Sequence, residues 1–288
     1  MLNDILLVCA AVIPAIALSI YIYKKDRVEK EPIGLLLLLF GLGAVMCFPA
    51  AKLESLMIDW QNDLFMPWGN MKDNTLYLPT DVFGSYMAVK AFAVVALVEE
   101  GLKFLVLVLV TKNNKHFNSL FDGIIYAVFV SLGFAAYENI LYVLKYGWET
   151  AFTRAVYAVP GHTFFAIIMG YYYTLWNVYR KARIKEQKLL KDGYLTGIKK
   201  KFVCAHYPVL ALLMPILAHG FYDYCCFMET KLWRLVLMVF VLFLYGYCFY
   251  RVHKMSENDV KDGVYANVLL RKKYPQLNEY LQQPAGGK

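Results

Sequence analysis

Residues 94–110 read VVALVEEGLKFLVLVLV, a run apolar enough to lie in lipid that still carries Glu99, Glu100 and Lys103 at its centre. Charge is most costly in the middle of a bilayer, and ionisable residues there are rare, face protein or water, and mark function. The stretch sets two questions: whether the chain lives in a membrane, and what the three charged groups serve.

Composition answers the first. Of 288 residues, 59% are hydrophobic and 18% charged, against roughly 45–50% and 25% in soluble domains. The mean hydropathy is +0.44. A span needs about 20 apolar residues, and seven runs qualify: 4–23, 33–50, 86–111, 121–145, 155–179, 206–228 and 232–250. The expectation is an all-α, polytopic membrane helical bundle of about seven transmembrane helices. It forms one integral-membrane domain over residues 1–288, multi-pass in the cell membrane with the lipid bilayer around it. The first run is not read as a signal peptide, because its leading MLND is acidic and the basic KKDR follows at 24–27.

The net charge of +8 is distributed by topology. Segments 24–32, 112–120, 180–205 and the tail from 251 hold 22 Lys and Arg, and the alternate segments hold 5. Basic loops stay in the cytoplasm, so the N-terminus is expected outside and the C-terminus inside. Charge used in this way implies no nucleic-acid partner. The six cysteines lie in or beside apolar runs without a CxxC pair and read as small buried hydrophobes. The acidic, aromatic segment 58–85 is expected as an outer loop lying on the interface. The tail 256–288 reads either as a short cytoplasmic helix against the anionic leaflet or as a solvated segment.

Three more of the seven runs carry polar groups. Glu138 and Asn139 sit in GFAAYENILY (133–142), His162 in VPGHTFFAIIMG (159–170), and His219 and Asp223 in LAHGFYDY (217–224). At about 1.5 Å per residue, Glu138, His162 and His219 lie about 10–13 Å below the outer helix ends, and the glutamate pair about 15–20 Å. Five carboxylate or imidazole groups thus share one level on four helices. Their types suit zinc: a catalytic zinc keeps three protein ligands and one open position, and it lowers the pKa of water toward 7 so that a nearby carboxylate can take the proton. The same ligands accept other divalent ions. Glu99 and Lys103, like His219 and Asp223, are spaced i, i+4 and share a helix face. Glu99 and Glu100 point about 100° apart, which assigns one to chemistry and the other to structure.

Each group also has a plainer reading. A lone intramembrane histidine is more often a helix-to-helix hydrogen bond than a ligand. Glu138 could bond tyrosine hydroxyls, Asp223 could sit among headgroups, and Lys145 is expected to snorkel to the interface. His116, His206 and His253 belong to basic cytoplasmic stretches. Gly133-Phe134-Ala135-Ala136 reads as close helix packing. The common depth is what stands against taking every residue separately.

Together EEGLK (99–103), FDGIIYAVFVSLGFAAYENILY (121–142), GHTFFAIIMGYYY (161–173) and HGFYD (219–223) resemble the PrsW family of intramembrane metalloproteases. That family is related to the CAAX-prenyl proteases and bacteriocin-immunity membrane proteins. The resemblance covers roughly residues 86–228; the first two spans, the outer loop and the tail add nothing to it. It implies proteolysis of a single-pass, membrane-anchored substrate, such as the first (site-1) cut of an anti-sigma factor in an envelope stress response. It also implies that Glu99 and Glu100 form the catalytic motif and that His162 and His219 help bind the metal. The CAAX-prenyl proteases carry histidine where this chain has Glu138, four residues after Phe134, which leaves the ligand set open. The resulting scheme has zinc on His162, His219 and Glu138, with Asp223 as fourth ligand or as support behind them. Glu99 or Glu100 is the base, Lys103 orients or neutralises the pair, and Asn139 bonds the substrate backbone. The rival classes are an ion-coupled transporter or proton relay, a seven-span receptor, and a family member that only binds. No two-fold internal repeat is visible, and the polar groups cluster near one face, which disfavours the transporter.

Overall fold

The computed structural model describes residues 2–73, 75–197 and 204–282. Lys199, Lys200 and Lys201 of the basic loop, and the tail beyond 282, lie outside them. The helices are α1 (Leu2–Lys25), α2 (Ile33–Val45), α3 (Cys47–Phe65), α4 (Thr80–Ala88), α5 (Leu97–Thr111) and α6 (Asp122–Tyr146). They continue as α7 (Trp148–Val156), α8 (Ala158–Lys191), α9 (His206–Phe227), α10 (Lys231–Glu257), α11 (Asp262–Lys273) and α12 (Asn278–Gln282). A small hairpin pairs β1 (Asn70–Lys72) antiparallel with β2 (Thr75–Tyr77).

Among the described residues, five helices are long and apolar enough to cross a membrane: Leu2–Lys25, Ile33–Trp68, Asp122–Tyr146, His206–Phe227 and Lys231–Glu257. The chain is therefore an all-α polytopic membrane protein. The other two expected runs, 86–111 and 155–179, do form helix but fall outside that set. The first holds three charges, Glu99, Glu100 and Lys103, on an α-helix of 15 residues, and in the second His162 and the tyrosines at 171–173 lower the hydropathy.

α6 is the axle of the bundle. It packs against α1, α2, α5 and α8, and from Asp122 to Ala136 every residue is buried. The outer helices turn apolar side chains away from the protein: Ile13 on α1, Leu37 on α2 and Leu242 on α10 are more than half exposed, as lipid-facing positions require. Gly133 lets α6 touch α2, since a methyl group there would strike the Phe40 backbone, and Gly43 on α2 meets Val130 in the same way.

The segment expected as an outer loop from residue 58 is instead helical as far as Phe65. No glycine or proline interrupts residues 50–65, so nothing in the backbone stops the helix. Pro49 falls in its first turn, where it is tolerated. It has no N–H to offer the carbonyl of Val45, which is where α2 ends. The tail helix α11 packs on the C-terminal half of α8. Lys181 pairs with Asp262, and Lys273 with Glu186 at 2.5 Å.

The same end of the bundle holds a buried carboxyl cluster. The Tyr126 hydroxyl donates to Glu31 at 2.5 Å, and Asp259 accepts from the Phe121 N–H at 3.1 Å. Asp122 accepts from the Asn118 and Ser119 N–H groups, both at 2.7 Å. Burial, reinforced by Asp122 and Asp26, pushes Glu31 up to about 8. Burial likewise pushes Asp26 up to about 6, against the pull of the Glu31 N–H and Lys30, and it pushes Asp259 up to about 6. A carboxyl whose pKa is raised in the folded state binds its proton more tightly there than in the unfolded chain, so its contribution is complete below the unfolded pKa and lost as pH rises through the folded one. Thermal stability in detergent is expected to fall between about pH 4 and 8. Glu31→Gln is expected to flatten the upper part of that slope in melting curves taken across this range.

Candidate active site

The site begins with an unusual piece of helix. Residues Val89–Ala96 are π-helical and run directly into α5. Such wider turns are rare and concentrate at functional sites. The π segment packs against α9, with the Phe92 ring lying on Gly220, where any β-carbon would collide with it. This close approach sets Glu100 beside His219, the neighbour of Gly220.

At the centre is the ammonium of Lys103, 1% exposed. It donates to Glu99 Oε2 at 2.9 Å and Glu100 Oε1 at 2.8 Å. Its third contact is His162 Nδ1 on α8, at 3.1 Å. An ammonium can only donate, so Nδ1 accepts and the proton of His162 lies on Nε2, facing Glu138 Oε2 at 3.0 Å. Glu100 Oε1 also receives His219 Nδ1 from α9 at 3.0 Å. The expected i, i+4 pair of Glu99 with Lys103 is present, and the i, i+3 pair of Glu100 with Lys103 joins it. The two carboxylates, 100° apart at the backbone, turn inward onto one cation.

Aromatic rings close the remaining faces. Phe134 lies 4.3 Å from the ammonium, and Phe165 stacks on His219 at 4.8 Å. The Ser131 hydroxyl holds the His162 carbonyl at 2.9 Å. The two imidazole centroids are 5.5 Å apart.

The cluster opens on a cavity of about 440 Å³ whose wall includes Glu99, Glu138, His162, His219 and Asp223. Glu100, Lys103 and Asn139 stand behind that wall, fully buried. Asn139, expected to bond the substrate backbone, does not line the cavity: its amide oxygen accepts from Arg154 Nε at 2.6 Å. Arg154 and Glu54, both on the cavity wall, are the residues the sequence reading missed. Arg154 was counted as a loop charge and Glu54 lay past the assumed end of its helix. A helical reading of 47–65 and 148–156 would have turned both toward the bundle.

The donor set fits a divalent cation on three observations. Glu99 and Glu100 pair with Lys103, Glu138 pairs with Arg154, and Asp223 stands beside His219, so with both imidazoles neutral the four carboxylates and two cations leave a formal charge of −2. Glu100 Oε2 is buried without a hydrogen-bond partner among the described residues. His219 Nε2 and Asp223 Oδ2 sit 3.5 Å apart on the cavity wall, close to the roughly 3.3 Å edge of a tetrahedral site with bonds of about 2.0–2.1 Å. Ligand atoms of Glu99, Glu100 and His162 also come within 4.8 Å of one another, but Lys103 already occupies the point on which they converge.

Comparison with known proteins agrees with this chemistry. The family described as PrsW family intramembrane metalloprotease matches residues 31–248. The protein Protease PrsW of Oceanobacillus iheyensis is 33% identical over 252 residues, covering 87% of this chain and 96% of that protein. Those of Bacillus subtilis and Clostridioides difficile are 32% and 31% identical, covering 84% and 91% of this chain and 91% and 96% of their own lengths. No solved structure matches. The chain belongs to the PrsW family of intramembrane metalloproteases and is a membrane protease.

Removing one partner of a buried ion cluster leaves an uncompensated charge, at a cost of about 3–5 kcal/mol. Lys103→Met is expected to lower the melting midpoint in detergent sharply, and Lys103→Arg less so. An unchanged midpoint for Lys103→Met would show that the ammonium is not holding the helices together.

Proposed function

We propose that the chain makes the first, site-1 cut in a single-pass membrane protein such as an anti-sigma factor, near the outer face of the membrane, using zinc. The observation that carries this reading is the charge-deficient Glu/His cluster opening on a cavity large enough for several residues of extended peptide.

The ion would be held by His219 and Asp223 at the cavity wall, with Glu138 completing the set; His162, whose two ring nitrogens are engaged by Lys103 and Glu138, would join it by giving up one of those contacts. Bound there, it would polarise the scissile carbonyl and acidify water. The chain's own groups divide the remaining work. Glu99 faces the cavity and is held among the described residues by Lys103, so it would accept a proton from water and return it to the leaving amine. Glu100, sealed from the cavity, ties Lys103 to His219 and serves as a positioning residue. Lys103 keeps both carboxylates fixed in orientation.

A proton relay would need this polar chain to continue across the bundle. Toward the other end α5 instead buries Val106 and Leu107, which supports the protease reading over the relay.

Metal content of detergent-purified protein tests the proposal first. About one zinc per chain is expected in the wild type and in Glu99→Gln, with little left in His219→Ala. Cleavage of a panel of single-pass membrane proteins, anti-sigma factors included, is expected to drop by about 10²–10⁴ in Glu99→Gln. Full cleavage by Glu99→Gln, or zinc retained after loss of His219, would refute the scheme.

A further inference from the structure

We infer that Arg154 holds a main-chain carbonyl oxygen of the substrate peptide in the cavity, a role that rests on the protease reading above. Arg154 comes from α7, a nine-residue helix between α6 and α8. Trp148, Phe152 and Val156 lie along one side of α7 and are exposed, while Ala151 is buried. Arg154, three residues after Ala151, points to the interior with its side chain 16% exposed.

Three contacts fix the plane of its guanidinium. Nε donates to Asn139 Oδ1 at 2.6 Å. The group lies over the Tyr142 ring, 4.0 Å from its centroid. Nη2, itself buried, is ion-paired with Glu138 Oε2 at 2.7 Å. Arg154 is thus anchored through Nε and Nη2, no hydrogen bond or ion pair engages the Nη1 hydrogens among the described residues, and the side chain forms part of the cavity wall.

The chemistry of the cavity selects what those hydrogens meet. Glu54, Glu99, Glu138 and Asp223 line it, so an anionic ligand would be repelled. These carboxylates can accept from the N–H groups of an extended peptide. The peptide's carbonyls need donors, because unsatisfied backbone groups are costly away from water. Fixed cationic donors on the wall are few: Arg154 and Lys90, whose ammonium lies over the Phe227 ring. Of these, Arg154 is the one whose orientation is locked and whose fork suits directional hydrogen bonding.

The test separates binding from support of the metal. A labelled single-pass peptide that the wild type cleaves is titrated by fluorescence anisotropy into Glu99→Gln protein, with and without Arg154→Gln or Arg154→Lys, and zinc is measured in each. The expected result is a Kd raised about ten- to a hundredfold by both substitutions, as for loss of a charged hydrogen bond, with zinc content unchanged. In otherwise wild-type protein KM should rise more than kcat falls. Unchanged Kd in the folded Arg154→Lys protein would overturn the inference. So would loss of zinc with Kd preserved, which would reduce Arg154 to a prop for Glu138. If the wild type binds zinc but cleaves no peptide of the panel, the protease reading for this substrate class fails, and the inference fails with it.

Discussion

The arrangement depends on one ammonium group with three hydrogens and three acceptors. Lys103 spends all of its donors on Glu99, Glu100 and His162, and each acceptor is tied onward to another helix or to the cavity. Glu100 reaches α9 through His219, and His162 reaches α6 through Glu138, which is paired in turn with Arg154 of α7. In a low-dielectric interior each link strengthens as water is excluded, and each becomes expensive to leave half made. A cluster of this kind is weak evidence for stability, since apolar residues of the same volume often serve as well. Its retention in five packed elements points to chemistry.

Buried charge also explains the shape of the helices around it. The π segment widens the chain just ahead of Glu99 and Glu100, and Gly220 removes the one side chain that would keep it from α9. Without both, the glutamates would face α9 at a greater separation, and the hydrogen bond from His219 to Glu100 would be lost. Neither Phe92 nor Gly220 carries chemistry, yet both set the distance at which the chemistry occurs.

Much of this was legible in the residues. Apolar run length located the helical rods, and counting residues from helix ends placed Glu99, Glu138, His162 and His219 at one level, where direct contacts now join them. What failed did so for physical reasons. Depth says nothing about azimuth, so Glu100 and Lys103 could not be told from wall residues, nor Asn139 from a substrate ligand. Counting Lys and Arg as topological markers hid Arg154, a loop charge by position and an interior one by helical phase. Hydropathy windows ended the second rod too early because they register Lys52 and Glu54 as polar, whereas the backbone has no reason to stop there. The tail reads as a helix on the anionic leaflet or as a solvated segment, and its pattern gives no sign of the pairs Asp262–Lys181 and Lys273–Glu186 that join α11 to α8.

The pairing of Lys103 within its own helix bears on how such a chain is made. Three charges near the middle of a span would each cost about 2.5–3.5 kcal/mol on entering the membrane. His162 and His219 are synthesised 59 and 119 residues after their partners Lys103 and Glu100, too late to assist that entry. The i, i+3 and i, i+4 contacts need no other helix: once α5 has coiled, one cation already answers two anions, and the segment crosses the insertion machinery with a net charge of −1. The histidines then arrive at a helix waiting in place, and biogenesis is ordered by the spacing of EEGLK itself.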